Sequence, residues 1–579
     1  MANHDVRPCG GGAWWGLALA GQFVFVFAAV ALTGPGRIDI VDGQTRYEVA
    51  RSLVDHGDSI IRDPDVWFAV YKGRNGQKYT DYRLPQTVLG VGAILVADTT
   101  GTVDETRRHF FFSLISPCTT AILAVTYSLW FRGLGHGPGA SLLWATGGIF
   151  CTPSWYYGTS TFDDILGTLA IVLAVAVAWL SRKRWPLLGS ALAGLVMGWA
   201  FNCKPPLVFF VLPVLAAAYR PGQPLRRHLV QAGLVFFGVS LGVIVYKVYD
   251  LYKFPPGTLN PYQVYAECYG AIWTNNPIPG LAGLALSPSA GAFWYCPPLL
   301  LSCLGWLSWR QHDRLFCGAV LAASLLFTLF LCFLTFFKGE PSWGPRYLTP
   351  VFALWWVFVP AAAAWVRGRV LALVLAAGVA VQVLGLSVDP QRLFFQLPLA
   401  FNYYVDFPWL GFDARISHLA QRCREIREVL TDEGEAREFN PGPLPTHAGG
   451  IRRGGPLFVT SLVGLSSTPG GGPLGAVCSV RPALIVQTTT IYREAAERYH
   501  VYRSLRPWWI SQRYLPPEQR PVDLGKTLAL LAALAGAGLG LMAAGGRLAR
   551  SGAPAGDSLA ADLTATCRSA GQALAPHVA

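Results

Sequence analysis

A chain of 579 residues with 53% hydrophobic and 14% charged residues is not composed like a soluble globular protein, in which about a quarter of residues are charged. Mean hydropathy is +0.38, and apolar runs of about 16 to 23 residues recur, each near the length that crosses a bilayer. The net charge of +13 does not indicate nucleic acid, because much of the Arg and Lys falls in short loops between apolar runs. There it sets orientation and meets anionic headgroups. The twelve Cys are scattered, many inside apolar runs, with no CxxC pair and no Cys/His ligand spacing, and read as small buried hydrophobes.

The first apolar run, residues 14–33, lacks a small-residue cleavage site and reads as a retained span. GRIDIVDGQTRYEVARSLVDHG, from Gly36 to Gly57, follows and opens with Asp39 and Asp42. Thr45-x-x-Glu48 predicts a capping box. Tyr47, Val49, Ala50, Leu53 and Val54, three and four apart, predict an amphipathic helix lying flat at the interface with its apolar face in the bilayer. Acids held there can meet a substrate that is half lipid and half water-soluble. Asp39 and Asp42 either cap turns or include a general base that takes a proton from an acceptor hydroxyl. Partial desolvation raises a carboxylate's pKa and makes it the better base.

Downstream, YKGRNGQKYTDYRL (Tyr71 to Leu84) predicts a hairpin turn at Arg74–Gln77. Tyr79, Tyr82 and Arg83 follow it and read equally as headgroup anchors and as ligand contacts. Residues 86–98 are too short for a comfortable crossing and read as a re-entrant or interfacial piece. Asp163 and Asp164 stand immediately before another apolar run, and adjacent carboxylates resist burial at a span boundary unless compensated. One can serve as an N-cap. The other needs a divalent cation (Mg2+ or Mn2+) or an acceptor contact. Lys204 in FNCKPP, and Lys338 and Arg346 in FFKGEPSWGPRYLTP, run against the placement of the other basic residues. They are either snorkelling anchors or phosphate ligands.

The spans read as 14–33, 109–131, 139–155, 164–181, 186–201, 205–219, 228–247, 291–309, 315–337, 346–366, 370–388 and 525–546. If 86–98 does not cross, the loops with Arg132, Arg182–Arg184, Arg220–Arg227, Arg310–Arg314, Arg367–Arg369 and Arg547–Arg550 share one side, which the positive-inside rule makes cytoplasmic. The fold class is therefore an all-α polytopic membrane protein of about 12 transmembrane helices, with both termini inside. Residues 1–388 form the membrane domain, with 34–108 as a large first external loop. Residues 389–524 read as a small external α/β domain: an amphipathic helix at 412–434, then the strand-like runs PLFVTSLV and PALIVQTTTIY. Cys423 and Cys478 lie in that segment and can pair as a disulfide. The last span, 525–546, precedes an Ala/Ser-rich tail, 547–579, expected to be cytoplasmic and disordered. No Gly-rich nucleotide-binding pattern is present in the chain.

The order of these parts resembles the GT-C superfamily of integral-membrane glycosyltransferases, and within it the branch of polyprenyl-phosphate-mannose protein mannosyltransferases and aminoarabinose transferases. DGQTRYEVARSLVDHG resembles that branch's first-loop helix, LAGLVMGWAFNCKPPLVFFVLPVL its Gly-rich span ahead of a basic residue and a Pro-starting span, and WGPRYLTPVFAL its Gly-x-Arg-Tyr element. GLAGLALSPSAGAFWYCPPLLL resembles a loop of bacterial members. The likeness covers about residues 10 to 390. The branch usually has an Asp-Glu pair four residues before the Tyr, whereas here Asp42 precedes Tyr47 by five and is followed by Gly43. The base is thus Asp42 or Asp39, with Asp42 favoured.

The resemblance implies an inverting transferase that moves a hexosyl or pentosyl group from a polyprenyl-phosphate-linked donor. The acceptor would be a hydroxyl of a glycan, lipid or protein, on the external face of a bacterial inner membrane. It leaves metal use open. A polytopic secondary transporter or flippase for a lipid-linked substrate is the competing class; it would show internal repeats and mid-span charges, whereas Gln22, Gln231 and Gln382 are the polar residues found mid-span. A non-catalytic scaffold is a third reading.

Overall fold

The computed structural model describes residues 12–66, 68–101, 104–256, 276–334, 339, 342–389, 417–431 and 504–551. Among these, eight helical stretches are long and apolar enough to cross a membrane. They are α1 (Gly12–Thr33), the consecutive α4 (Glu105–Ser113) and α5 (Ile115–Gly133), α8 (Asp164–Ser181), α9 (Pro186–Cys203), α11 (Leu225–Lys253), α15 (Arg314–Cys332), α18 (Gly368–Ser387) and α21 (Leu524–Ser551). The remaining apolar runs fold as shorter pieces. Residues 139–155 divide into α6 (Pro138–Phe150) and α7 (Ser154–Thr159), and the run after Lys204 is a 3-10 turn, Pro205–Phe210, leading into α10 (Val211–Ala218). α12 (Pro277–Leu286), α13 (Ala292–Tyr295) and α14 (Leu299–Trp309) are also short. Residues 346–366 are broken into α16 (Thr349–Trp355) and α17 (Val359–Ala362), each with a proline in its first turn, and residues 348–360 are buried throughout.

Close helix packing comes from small residues. In α9 and α11, a Cβ on Gly198 would lie 2.6 Å from the Gly238 carbonyl oxygen. The two backbones can therefore approach as small-residue interfaces allow. Mid-span polar groups join helices. Gln22 Nε2 donates to the Leu142 carbonyl and to Thr146, and its Oε1 accepts from Ser128; Gln382 donates to the Tyr295 carbonyl. These two glutamines are structural.

The first loop departs from expectation. α2 (Val41–His56) begins a full turn before the expected capping box, with Ile40 at the N-cap position and no side-chain cap. Thr45 Oγ1 instead donates to the Phe68 carbonyl, and Glu48 accepts from Gln44 and pairs with Arg51. Nor does α2 turn an apolar face to lipid. Tyr47 and Ala50 pack with Ile38, Ile94 and Phe112, and Val49 packs with Ile61 and Val66. Protein covers both sides of the helix because α3 (Leu84–Thr99) lies along it. α3 itself presents Val88, Leu89, Leu95 and Val96 outward. At 16 residues it spans about 24 Å, short of a full crossing. Between them stands the expected hairpin. β1 (Val70–Lys72) and β2 (Lys78–Thr80) are antiparallel, with Tyr71 opposite Tyr79, and Asn75 and Gly76 take the positive φ the turn requires.

In the segment 389–524 the expected helix is present as α19 (His418–Leu430). The strand-like runs and Cys478 lie outside the described residues, as does Lys338. The return to the membrane, Ser504 to Pro521, carries α20 (Trp508–Ser511) and packs under the start of the first loop. Trp508 Nε1 donates to the Ala31 carbonyl and its backbone N–H to that of Gly34.

Candidate functional site

Five separate segments meet at one end of the bundle: the first turn of α2, the hairpin exit at Tyr82, the α7–α8 junction, and the starts at Lys204 and Arg346. Helix direction determines which end this is. The loops bearing Arg182–Arg184, Arg220–Arg227 and Arg310–Arg314 join the opposite ends of α8 to α11, α14 and α15.

Asp42 sits in the first turn of α2, where the helix dipole favours an anion. Tyr82 donates its hydroxyl to Asp42 Oδ1 at 2.5 Å, and Arg346 Nη1 lies 4.0 Å from Asp42 Oδ2. One helical turn on, Arg46 points the same way and stacks 3.9 Å over the Tyr82 ring. Its Nη2 donates to Asp163 Oδ2 at 3.0 Å. Lys204 Nζ lies 3.4 Å from Asp163 and bonds Asp164. Arg346 Nε is 3.7 Å from Asp164 Oδ2, and its Nη2 donates to Tyr347 at 3.0 Å. Tyr347 also offers its ring to Lys204. Three carboxylates and three cations thus alternate around one cluster.

Neither Asp163 nor Asp164 caps α8 with its side chain, so the N-cap expectation is replaced by ion pairing. Burial would raise the Asp163 carboxyl, but Arg46, Lys204 and Arg346 outweigh it and hold the group below its ordinary value. Burial likewise works against the Lys204 ammonium, which Asp164 and Asp163 pull back above its ordinary value. Tyr82 moves upward through burial and then through Asp42, which keeps the phenol a proton donor.

The cluster is not saturated. Arg46 Nη1, Arg346 Nε and Asp164 Oδ2 are buried and make no hydrogen bond. Buried charged groups with open bonding capacity are uncommon and mark positions where a ligand can complete the set. Access runs past Lys204 and Asp42, whose side chains are 25% and 15% exposed while the others lie below 10%.

Gly43 makes the approach possible. A Cβ there would collide with the Thr161 side chain, so the residue after Asp42 must be glycine if α2 is to touch the loop leading to Asp163. The departure from the Asp-Glu pattern therefore has a steric cause in this chain.

Asp39 is elsewhere engaged. Its Oδ1 accepts from the Thr161 N–H at 2.9 Å and hydroxyl at 2.7 Å, and its Oδ2 meets Arg506 Nη2 at 3.0 Å, all fully buried. Arg506 also donates to Thr159. Of the first-loop contacts, Tyr82 belongs to the cluster. Tyr79 packs edge-on against Tyr252 and Phe254, and Arg83 bonds Tyr246 and faces Asp250 at 3.7 Å. Both tie the hairpin to the end of α11 rather than lining the cluster. Gly339, next to Lys338, packs on Arg346.

Among the described residues no three His, Cys, Asp or Glu side chains gather as metal ligands would. Asp163 and Asp164 suit a divalent cation poorly, because each already faces the Lys204 ammonium and an arginine. Sequence reasoning missed Arg46, Tyr347 and Arg506. Arg46 was legible as the residue one helical turn after Asp42; Arg506 has no local signature.

No protein-family model and no curated protein matches this chain. Among solved structures it is similar to the oligosaccharyltransferase AglB from Archaeoglobus fulgidus, in complex with an inhibitory peptide and a dolichol-phosphate. The TM-score is 0.40 at 12% identity, over 68% of this chain and 58% of that one. The same organism's oligosaccharyltransferase complexed with Zn and sulfate gives a TM-score of 0.37 at 13% identity, over 67% and 55%. The form tethered to an acceptor peptide containing the NVT sequon gives 0.36 at 12%, over 71% and 59%. This chain thus spans less than two thirds of each of these neighbours, and likenesses this loose carry no weight in assigning an activity.

Proposed function

We propose that the protein is an integral-membrane glycosyltransferase that moves a sugar from a polyprenyl-phosphate-linked donor to an acceptor hydroxyl at the external face. The observation that carries this reading is the meeting of Asp42 with Arg346, which shares Asp164 with Lys204, with bonding capacity left open in the cluster. A base, two cations suited to phosphate and a bilayer-edge position are what such a reaction requires.

In the resting arrangement Arg346 is shared between Asp42 and Asp164. A donor phosphate is the better partner for a guanidinium fork, and its arrival draws Arg346 away and frees Asp42. The acceptor oxygen then attacks the anomeric carbon. The new C–O bond forms as the bond from carbon to phosphate oxygen breaks; Asp42 takes the hydroxyl proton, and the leaving polyprenyl phosphate keeps the bonding pair. One displacement inverts the anomeric carbon. Arg346 and Lys204 stabilise the charge growing on phosphate, Asp163 and Asp164 hold Lys204 in place, and Tyr82 orients the carboxylate. Hydrolysis is limited to the extent that closure of the site excludes water.

The test is incubation of purified protein with a polyprenyl-phosphate sugar and an acceptor, following release of the lipid phosphate. Release that depends on Asp42 supports the reading. Binding and movement of the lipid with no cleavage of the sugar–phosphate bond would transfer the chain to the transporter class.

A further inference from the structure

At the Arg-rich end of the bundle, α10, α11 and α15 form an open cavity of about 560 Å³, within the range of small-molecule sites. It lies at the far end of residues 205–218 from Lys204, about 20 Å along the helix, and shares no residue with the acid–base cluster. Its walls include Leu212, Leu215, Leu229 and Leu315. Leu229 and Leu315 are also more than half exposed on the outer surface, so the cavity borders the face turned to hydrocarbon.

Two polar side chains break this apolar lining. Gln231 is 4% exposed; its Nε2 donates to the Ala218 carbonyl, while its Oε1 is buried without a hydrogen-bond partner. His228 stacks on Tyr219, and its Nε2 is likewise buried and unpartnered. Leaving such atoms unmet is unfavourable, and a ligand that meets them gains by it. Beside them Arg314 lines the cavity, and Arg226 and Arg227 are exposed at the start of α11. Asp313, next to Arg314 in the chain, is engaged as the N-cap of α15, accepting from the Phe316 N–H.

We propose that this cavity holds one acyl chain of an anionic phospholipid drawn from the leaflet at the Arg-rich end. Three features of the cavity select that occupant. The leucine walls need hydrocarbon, His228 Nε2 can donate to an ester oxygen of the glycerol region while Gln231 Oε1 accepts from a headgroup hydroxyl, and Arg314 needs a phosphate. A water-soluble anion leaves the leucines unfilled. A plain hydrocarbon leaves Gln231, His228 and the arginines unmet. A basic side chain near a membrane favours anionic lipid by about fivefold, and Arg314, the arginine that lines the cavity, supplies that preference.

The test uses the full-length protein in detergent and native mass spectrometry with added phosphatidylglycerol or phosphatidylcholine. One phosphatidylglycerol is expected to be retained, about fivefold in preference to phosphatidylcholine. Gly318 lines the cavity with open space at its Cβ position, so Gly318→Trp fills it and abolishes retention. Ala319→Phe does the same if the tryptophan variant does not elute as a single species. Arg314→Gln, at an exposed position, keeps the lipid but loses the preference. Equal retention of both lipids, or unchanged retention in the filled variants, overturns the proposal. Displacement by equimolar polyprenyl phosphate also overturns it and reassigns the cavity to the isoprenoid tail. Sugar transfer is not the readout, so the result is independent of the glycosyltransferase reading.

Discussion

Asp39 and Asp42 lie three residues apart, and each faces an arginine from a distant part of the chain, yet they are built differently. Asp39 is sealed, with both oxygens engaged by Thr161 and Arg506 at hydrogen-bonding distance. Asp42 has one short bond, from Tyr82, and a looser approach to Arg346 at 4.0 Å, beside side chains with buried atoms that make no hydrogen bond. A saturated pair fixes geometry, and an unsaturated one leaves room for chemistry. If that distinction holds, Asp42→Asn removes the base and lowers transfer by about 10²–10⁴-fold. Its thermal midpoint should stay close to that of the parent. Asp39→Asn should do the reverse, and a variant pair with these effects exchanged would invert the assignment of roles.

The sealed pair yields the second test. Removing one partner of a buried ion pair costs about 3–5 kcal/mol because the other charge is left unpaired. Arg506→Gln is therefore expected to lower the unfolding midpoint in detergent sharply. The double variant Asp39→Asn with Arg506→Gln should be less damaged than the sum of the singles, since the coupling is counted once. Strict additivity would show that the two residues act apart.

Arg346 comes next in size. Arg346→Ala deletes one stabilising cation from the departing phosphate, worth about 10²–10³-fold by analogy with the loss of one oxyanion donor. Arg346→Lys should restore charge but not the fork, and so recover part of the loss. The effect should fall on donor kinetics. Unchanged donor dependence would reduce Arg346 to a structural anchor over the Phe162 ring, which it covers at 4.0 Å.

How much of this was legible follows from where the signals lie. Asp42, Asp163, Asp164, Lys204 and Arg346 all flank apolar runs at the end opposite the arginine loops, so sidedness alone placed them on one surface. Sidedness could not separate Asp39 from Asp42, because what distinguishes them is Arg506, 467 residues away from Asp39. The apolar stripe of α2 is expected to face the bilayer, but a stripe does not say whether lipid or protein covers it, and α3 does the covering here. The breaks at Pro350 and Pro360 stood in the sequence, yet a hydrophobic count over 346–366 passes across them. Gly43 departs from the Asp-Glu pattern of the resembled branch, and its steric reason, Thr161, lies far along the chain.

The smallest expected effect separates the cluster from the rest of α2. Glu48 lies one and a half turns from Asp42, and burial pushes its carboxyl up to about 8 against the pull of Arg51. In the unfolded chain the group titrates near its ordinary 4.5, so between these values the folded state binds the extra proton. The stability it confers is complete below the lower value and is lost as pH climbs through about 8. The unfolding midpoint should therefore fall across this window, by at most roughly 2–4 °C for each kcal/mol involved. Glu48→Gln, which can keep the bond with Gln44, should flatten that slope and leave transfer intact. A loss of transfer in Glu48→Gln as large as that in Asp42→Asn would move the base from the first turn of α2 to its second.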